Sequence, residues 1–280
     1  GKVIDYAARE GKFHFFPQDG GLKEWTFFFA AAITMMLGSI PQQDVFQRVM
    51  SANSVNAATK GPVIGGFCYI LFAFVPMFLV ASALIIMPEQ TAELLKDDPQ
   101  KVLPTLVMEK MPFAMQVLFF GALLSAIKST ASATLLAPSV TFTENIWRQF
   151  RPRVSDRQEL RTMRITVLVF SCFVLAYAIY MQGTSIYEMV SGAYQVTLVG
   201  AFVPLVMGLY WKRASTQGAI LSIVLGIGVW LGFIVSPLGT TFPAQLAGVL
   251  ASFAGMLVGT LAPQVIHNKH MAHRKIPHVA

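Results

Sequence analysis

Seven blocks of apolar residues, roughly 25–49, 62–86, 113–142, 164–181, 187–210, 217–236 and 243–266, make up most of this 280-residue chain. A helix needs about 20 residues to cross a hydrocarbon layer about 30 Å thick, and the blocks match that length. No water reaches the backbone inside such a layer, so each segment must satisfy its own N–H and C=O groups by forming a helix. The expected fold class is therefore all-α: a polytopic helical membrane protein with about seven transmembrane helices. Charge content agrees, at 12% of residues against about a quarter in soluble domains.

The formal net charge of +7 is explained by its distribution along the chain. Connections after blocks one, three, five and seven hold 13 Lys and Arg, the opposite side holds 7, and Lys128 is left over. The positive-inside rule makes the richer side cytoplasmic. That puts the chain in a plasma (inner) membrane as a multi-pass protein, with its Gly1 end outside and its C-terminus in the cytoplasm. Topology accounts for the basic excess, so no nucleic acid is expected as a partner; the lipid bilayer is. Gly1 follows no initiating Met and no signal-peptide pattern, so earlier spans are expected before it. Cys68 and Cys172 fall inside apolar blocks and read as small buried hydrophobes rather than a disulfide or metal site.

Block one, "WTFFFAAAITMMLGSIPQQDVFQRV", is interrupted by "GSIPQQD". Gly38 and Pro41 weaken a helix, and Gln42, Gln43 and Asp44 follow at once. Either the helix breaks there, as at transporter sites where free backbone groups meet a substrate or ion, or it only kinks. After block two, "MPEQTAELLKDDPQKVLPTLVMEKMP" reads as an external segment with a short helix at "TAELL" and an apolar lip. It is either a cap on the outer mouth or a passive linker.

Block three carries the most chemistry, in "FFGALLSAIKSTASATLLAPSVTFTEN". Small residues at three- and four-residue spacing let neighbouring helices approach closely. Ser125, Ser129, Thr130, Ser132 and Thr134 supply hydroxyls, which either bond back to their own helix as packing or offer neutral oxygens to a hard cation. Lys128 lies about 24 Å along the helix from both Pro112 and Glu144, too far to snorkel easily to either interface. At about 100° per residue, Ala126, Ser129, Thr130 and Ala133 share one face while Lys128 points elsewhere. It either faces a partner or cavity in the bundle interior, or is satisfied locally by Ser125, Ser132 and carbonyls.

The link "TENIWRQFRPRVSDRQELRTMR" carries six arginines and Trp147, an interfacial anchor. Block five has Glu188 at its outer end and Pro204 at mid-span. Blocks six and seven, rich in Gly and Ala and free of charge, read as scaffold.

Three segments together, "GSIPQQDVFQRVMSAN", "LPTLVMEKMPFAMQVLFFGALLSAIKSTASATLLAPSVTFTENIW" and "GAFVPLVMGLYWKRASTQGAILSIVLG", resemble the sodium/solute symporter family over nearly all of the chain from Trp25. The resemblance implies a LeuT-like inverted-repeat transporter fold with the second repeat present and the first missing. Domains then run as an external loop (1–24), the second five-helix repeat (25–210), two additional transmembrane helices (211–266) and a cytoplasmic tail (267–280). It implies sodium-coupled symport of a small organic solute by alternating access. Sodium serves as the coupling ion, with no organic cofactor, no enzymatic activity and no catalytic residue. Carried over by position, sodium falls on the Ala126 carbonyl and the hydroxyls of Ser129 and Thr130. The solute site faces the break around Met35, Gly38, Ser39 and Gln42, with Tyr194 as neighbour. The N-terminal repeat of the same polypeptide would supply the remaining ligands, and Lys128 is a further functional residue.

Two other classes compete. A solute-sensing domain of a membrane sensor kinase would share these motifs, since some family members are fused to kinase modules. A seven-helix receptor or retinal protein is disfavoured, because its lysine would lie in the last helix with carboxylates at mid-depth.

Overall fold

Where the apolar blocks allow it, the backbone closes its hydrogen bonds locally. The computed structural model describes residues 2–9, 11, 14, 16–18, 20–151 and 155–266, apart from the side chains of Gln43, Asp44, Gln47 and Arg48. The tail expected at 267–280 lies outside the described residues, as does Arg153. No strand occurs among the described residues.

In chain order the helices are α1 (Lys2–Arg9), α2 (Leu22–Gly38), α3 (Gln43–Met50), α4 (Val55–Ile86), α5 (Pro88–Asp97), α6 (Val102–Lys110), α7 (Phe113–Thr141), α8 (Arg148–Phe150), α9 (Asp156–Tyr180), α10 (Ile186–Thr197), α11 (Val203–Tyr210), α12 (Thr216–Val235) and α13 (Ala244–Leu261). Wider π-helical turns join α7 to α8 (Phe142–Trp147) and α10 to α11 (Leu198–Phe202).

Among the described residues six stretches are long and apolar enough to cross a membrane: Val55–Ile86, Phe113–Phe150, Asp156–Tyr180, Ile186–Tyr210, Thr216–Val235 and Ala244–Leu261. This is a multi-pass membrane protein. The seventh expected span is block one, which divides into α2 and α3, so neither half qualifies alone. Pro41 has no N–H to continue the ladder toward the Leu37 carbonyl. That carbonyl instead accepts from the Ile40 N–H at 3.2 Å, and the Ser39 carbonyl accepts from the Gln42 N–H at 3.2 Å. The interruption is therefore a true break.

Two helices begin before their apolar runs. In α4 the Ser54 hydroxyl accepts from the Ala57 N–H at 3.2 Å, an N-cap that moves the start to Val55. α9 starts at Asp156, where Gln158 accepts from the Ser155 N–H at 3.4 Å. Asp156 and Glu159 sit in its first turn, where negative charge suits the helix dipole.

The chain folds as two units. The first is Gly1–Phe15 with Gln43–Ile186. Here the segment after α4 is more than a linker: α5 and α6 fold back on the end of α4 around Ala83, Met87, Val102 and Leu106. The Thr91 hydroxyl donates to the Ala83 carbonyl at 3.1 Å, and Gln116 caps α6 by donating to the Met108 and Met111 carbonyls at 2.8 and 2.9 Å. Further on, α7 packs along α9. Cys68 and Cys172 are free and exposed on α4 and α9, which corrects the expectation of burial: both spans leave most of their apolar side chains uncovered.

The second unit is Phe16–Gln42 with Tyr187–Ala280. Its centre is the α12–α13 pair, brought together by small residues. A Cβ on Gly226 would overlap the Val199 carbonyl and lie 2.8 Å from Ser252 Cβ; one on Gly255 would lie 2.8 Å from the Leu221 carbonyl. Between them the Ser222 and Ser252 hydroxyls hydrogen-bond at 2.8 Å, fully buried. Close backbone approach gives dispersion contact where lipid removes the hydrophobic drive. Gly226→Ala should accordingly lower the thermal midpoint of the detergent-solubilised protein, by about 1–3 kcal/mol of overpacking. Gly228→Ala on the same helix, where a Cβ meets nothing within 4 Å, should leave it unchanged.

Candidate functional site

The break in block one is held by contacts inside the second unit. Gly38 ends α2, and its missing side chain is required: a Cβ there would overlap the Tyr194 carbonyl of α10 and lie 3.2 Å from Tyr194 Cβ. This approach brings Thr197, one turn on, within reach. Its hydroxyl donates to the Gly38 carbonyl at 2.6 Å, and the Gln42 side-chain amide donates to the same hydroxyl oxygen at 3.3 Å. A terminal carbonyl of α2, without a helical partner, is thereby satisfied across helices. Ser39 turns back to the Met36 carbonyl at 3.1 Å.

Of the expected solute residues, Gly38, Gln42 and Tyr194 are thus brought together, with Ser39 in the intervening turn and half-buried Met35 one turn earlier on α2. Thr197 was missed by the sequence reading. The available signal was its position three residues after Tyr194, on the same face of a helix.

The expected sodium residues lie on α7 in the first unit. Ala126, Ser129 and Thr130 are all exposed. Of the five hydroxyls, Thr134 follows the packing alternative, donating to the Thr130 carbonyl at 2.9 Å. Those of Ser125, Ser129, Thr130 and Ser132 make no hydrogen bond among the described residues. Lys128 is also exposed, with no hydrogen bond or ion pair among the described residues. The local bonds to Ser125 and Ser132 that would have satisfied it are not formed. Among the described residues no group of three or more His, Cys, Asp and Glu could hold a metal.

One ionic cluster was not anticipated. Arg148 pairs with Glu144 at 2.5 Å and with Glu159 of α9 at 3.7 Å, joining the π turn after α7 to the start of α9. Arg151 lies over the Trp147 ring at 5.7 Å. Beneath them Thr143 is 1% exposed and its hydroxyl has no partner among the described residues.

A family model described as "Sodium:solute symporter family" matches residues 7–226. "Sodium/myo-inositol cotransporter 2" of Sus scrofa is 24% identical over 235 residues, covering 78% of this chain and 35% of its own length. "High affinity choline transporter 1" of Mus musculus is 28% identical over 201 residues, covering 70% of this chain and 34% of its own. The chain thus spans about a third of the length of the curated relatives it matches. A solved structure titled as the substrate-bound outward-open state of a Na+-coupled sialic acid symporter superposes with a TM-score of 0.68 at 19% identity. It covers 93% of this chain and 56% of that one. The likeness shows a shared fold, the LeuT-like helical one.

The orphaned hydroxyl of Thr143 carries its own expectation. An unpaired buried hydroxyl costs stability, and an isosteric apolar group removes that cost. Thr143→Val should leave the thermal midpoint unchanged or raise it, by up to about 1 kcal/mol; a clear loss of stability in thermal unfolding would contradict this.

Proposed function

The chain belongs to the sodium:solute symporter family, and from that premise we propose that it is the C-terminal part of a secondary active transporter. It carries a small organic solute inward with sodium, by alternating access. The observation that carries the reading is the broken helix at Ser39–Gln42, its freed carbonyl tied to α10 through Thr197. Non-helical backbone at membrane depth persists only where protein or water serves its polar groups, and transporters use such breaks for binding.

In this reading the solute sits against Met35, Gly38, Ser39, Gln42 and Tyr194, which offer apolar surface beside amide, hydroxyl and carbonyl groups. Relatives named for sodium-coupled myo-inositol transport and for choline transport support a small polar molecule as cargo. Sodium takes the Ala126 carbonyl and the Ser129 and Thr130 hydroxyls. A helical carbonyl keeps a second lone pair for an ion, and neutral oxygens suit a hard monovalent cation. The other ligands come from a first repeat in the same polypeptide, with 25–210 as the second repeat and 211–266 as additional helices. The basic connections put the Gly1 end outside and the C-terminus in the cytoplasm of a plasma (inner) membrane. Sodium and solute are coupled because both bias one two-state bundle. No residue acts as a catalyst.

Lys128 faces the interior in the assembled transporter and pairs with an acid of the first repeat or an anionic group of the solute. An ammonium at mid-helix costs about 2.5–3.5 kcal/mol, which a merely tolerated residue would not offset.

Two measurements on the intact protein in liposomes test this. Ser129→Ala and Thr130→Ala should each raise the sodium concentration for half-maximal uptake by about tenfold, the equivalent of 1.4 kcal/mol per lost ligand. Unchanged sodium dependence in both would remove the sodium assignment. Lys128→Met should strongly reduce uptake while leaving membrane insertion intact; wild-type uptake with unaltered sodium and pH dependence would show the lysine to be dispensable.

A further inference from the structure

Thr197 stands where two irregularities meet. On one side is the break of block one; on the other, the next residue opens the π turn Leu198–Phe202, with Pro204 just beyond it. Such turns recur at functional positions because they loosen a helix without ending it. The Thr197 hydroxyl has one hydrogen to donate and two carbonyls within range. One is that of Gly38 in the broken helix, at 2.6 Å; the other is that of Tyr194 in its own helix, at 3.1 Å. Its oxygen meanwhile accepts from Gln42, the last residue of the break, at 3.3 Å.

We propose that Thr197 is a positioning residue that latches the broken helix, its hydroxyl having two seats. In the latched seat it donates to the Gly38 carbonyl and, through Gln42, holds both ends of the turn against α10. In the released seat it donates to the Tyr194 carbonyl, a bond within its own helix of the kind that threonines readily make. The exchange costs little because the donor is satisfied in both seats, whereas an apolar side chain offers neither bond and a fixed donor offers only one. The released Gly38 carbonyl, at the negative end of α2, is then free to accept from water or from a donor group on the solute. The missing Cβ at Gly38 is what makes the latched seat reachable, since the two backbones touch there. The purpose of the latch rests on the transport reading above, but its existence can be tested without any transport.

The test uses the intact protein in liposomes with Cys68→Ser, Cys172→Ser and a single reporter, Ile40→Cys. Ile40 lies in the turn, 41% exposed, and is not among the solute residues. The rate of modification by a small methanethiosulfonate reagent reads how often the turn is released. Thr197→Val keeps the shape and loses the hydroxyl. It should raise that rate about fivefold, the equivalent of one net hydrogen bond. Thr197→Ser, which keeps the hydroxyl, should return it to the parent value. Adding Gln42→Leu to Thr197→Val should have little further effect, because both act through one oxygen. If the valine variant does not reach the membrane, Thr197→Ala takes its place with the same expectation. A parent-like rate without the hydroxyl, or a serine variant as fast as valine, would overturn the latch. Because the readout needs no uptake, a hydroxyl-dependent rate in a protein that moves no sodium-coupled solute would refute the transport reading and leave the latch standing.

Discussion

Every backbone polar group at membrane depth must find a partner without help from bulk water, and the architecture follows from how each segment meets that demand. Most segments meet it as continuous helix. Block one does not, because Pro41 removes a donor and the helix ends at Gly38. The debt is settled in two ways: tight turn bonds from Ile40 and Gln42, and a side-chain hydroxyl supplied by α10. The candidate solute site is the place where backbone satisfaction is borrowed from a neighbour, and a borrowed bond is one that can be exchanged.

The same demand shapes the supports. With lipid on the outside, helices gain little from hiding apolar groups, so close contact has to come from shape. The α12–α13 pair achieves this with Gly218, Ser222 and Gly226 facing Ser252, Gly255 and Gly259, a seam narrow enough for one serine pair to bridge. α10 and its π turn pack against this pair, the Val199 carbonyl resting on Gly226, and Trp230 of α12 donates to Gln195 at 3.0 Å. Thr197 is thereby mounted beside a closely packed helix pair while the helix it bonds to is discontinuous. α7 contrasts with this: from Gly121 to Ser132 it is exposed all round.

Block lengths, the interruption at "GSIPQQD", the short helix at "TAELL" and the hydroxyl-rich face of α7 could all be read from the chain alone, whereas α6 was read only as an apolar lip. Helix propensity, proline chemistry and hydropathy act over a few residues, so local sequence suffices for them. Cap residues such as Ser54 and Ser155 extended α4 and α9 beyond their apolar runs, a correction that capping chemistry makes intelligible. Hydropathy misled on Cys68 and Cys172, because an apolar stretch in a membrane protein does not say which of its faces meets protein. The ionic triad of Glu144, Arg148 and Glu159 was likewise hidden, since Glu159 comes from another helix and charge spacing along one helix cannot reveal it.

By itself, then, the sequence determined that this chain is a bundle of membrane-crossing helices with one span interrupted at "GSIPQQD", and its motifs marked the family; that the interruption breaks the helix rather than kinking it came from the backbone hydrogen bonds. Only the tertiary structure decided that the break is closed by Thr197 and Gln42 rather than by its own helix, and that Gly38 must be glycine because the Tyr194 carbonyl lies against it. The reason is one of range. Periodicity specifies which residues share a helix face, but two positions 159 residues apart become partners only when helix packing sets the backbones in contact, and that packing is a property of both surfaces together.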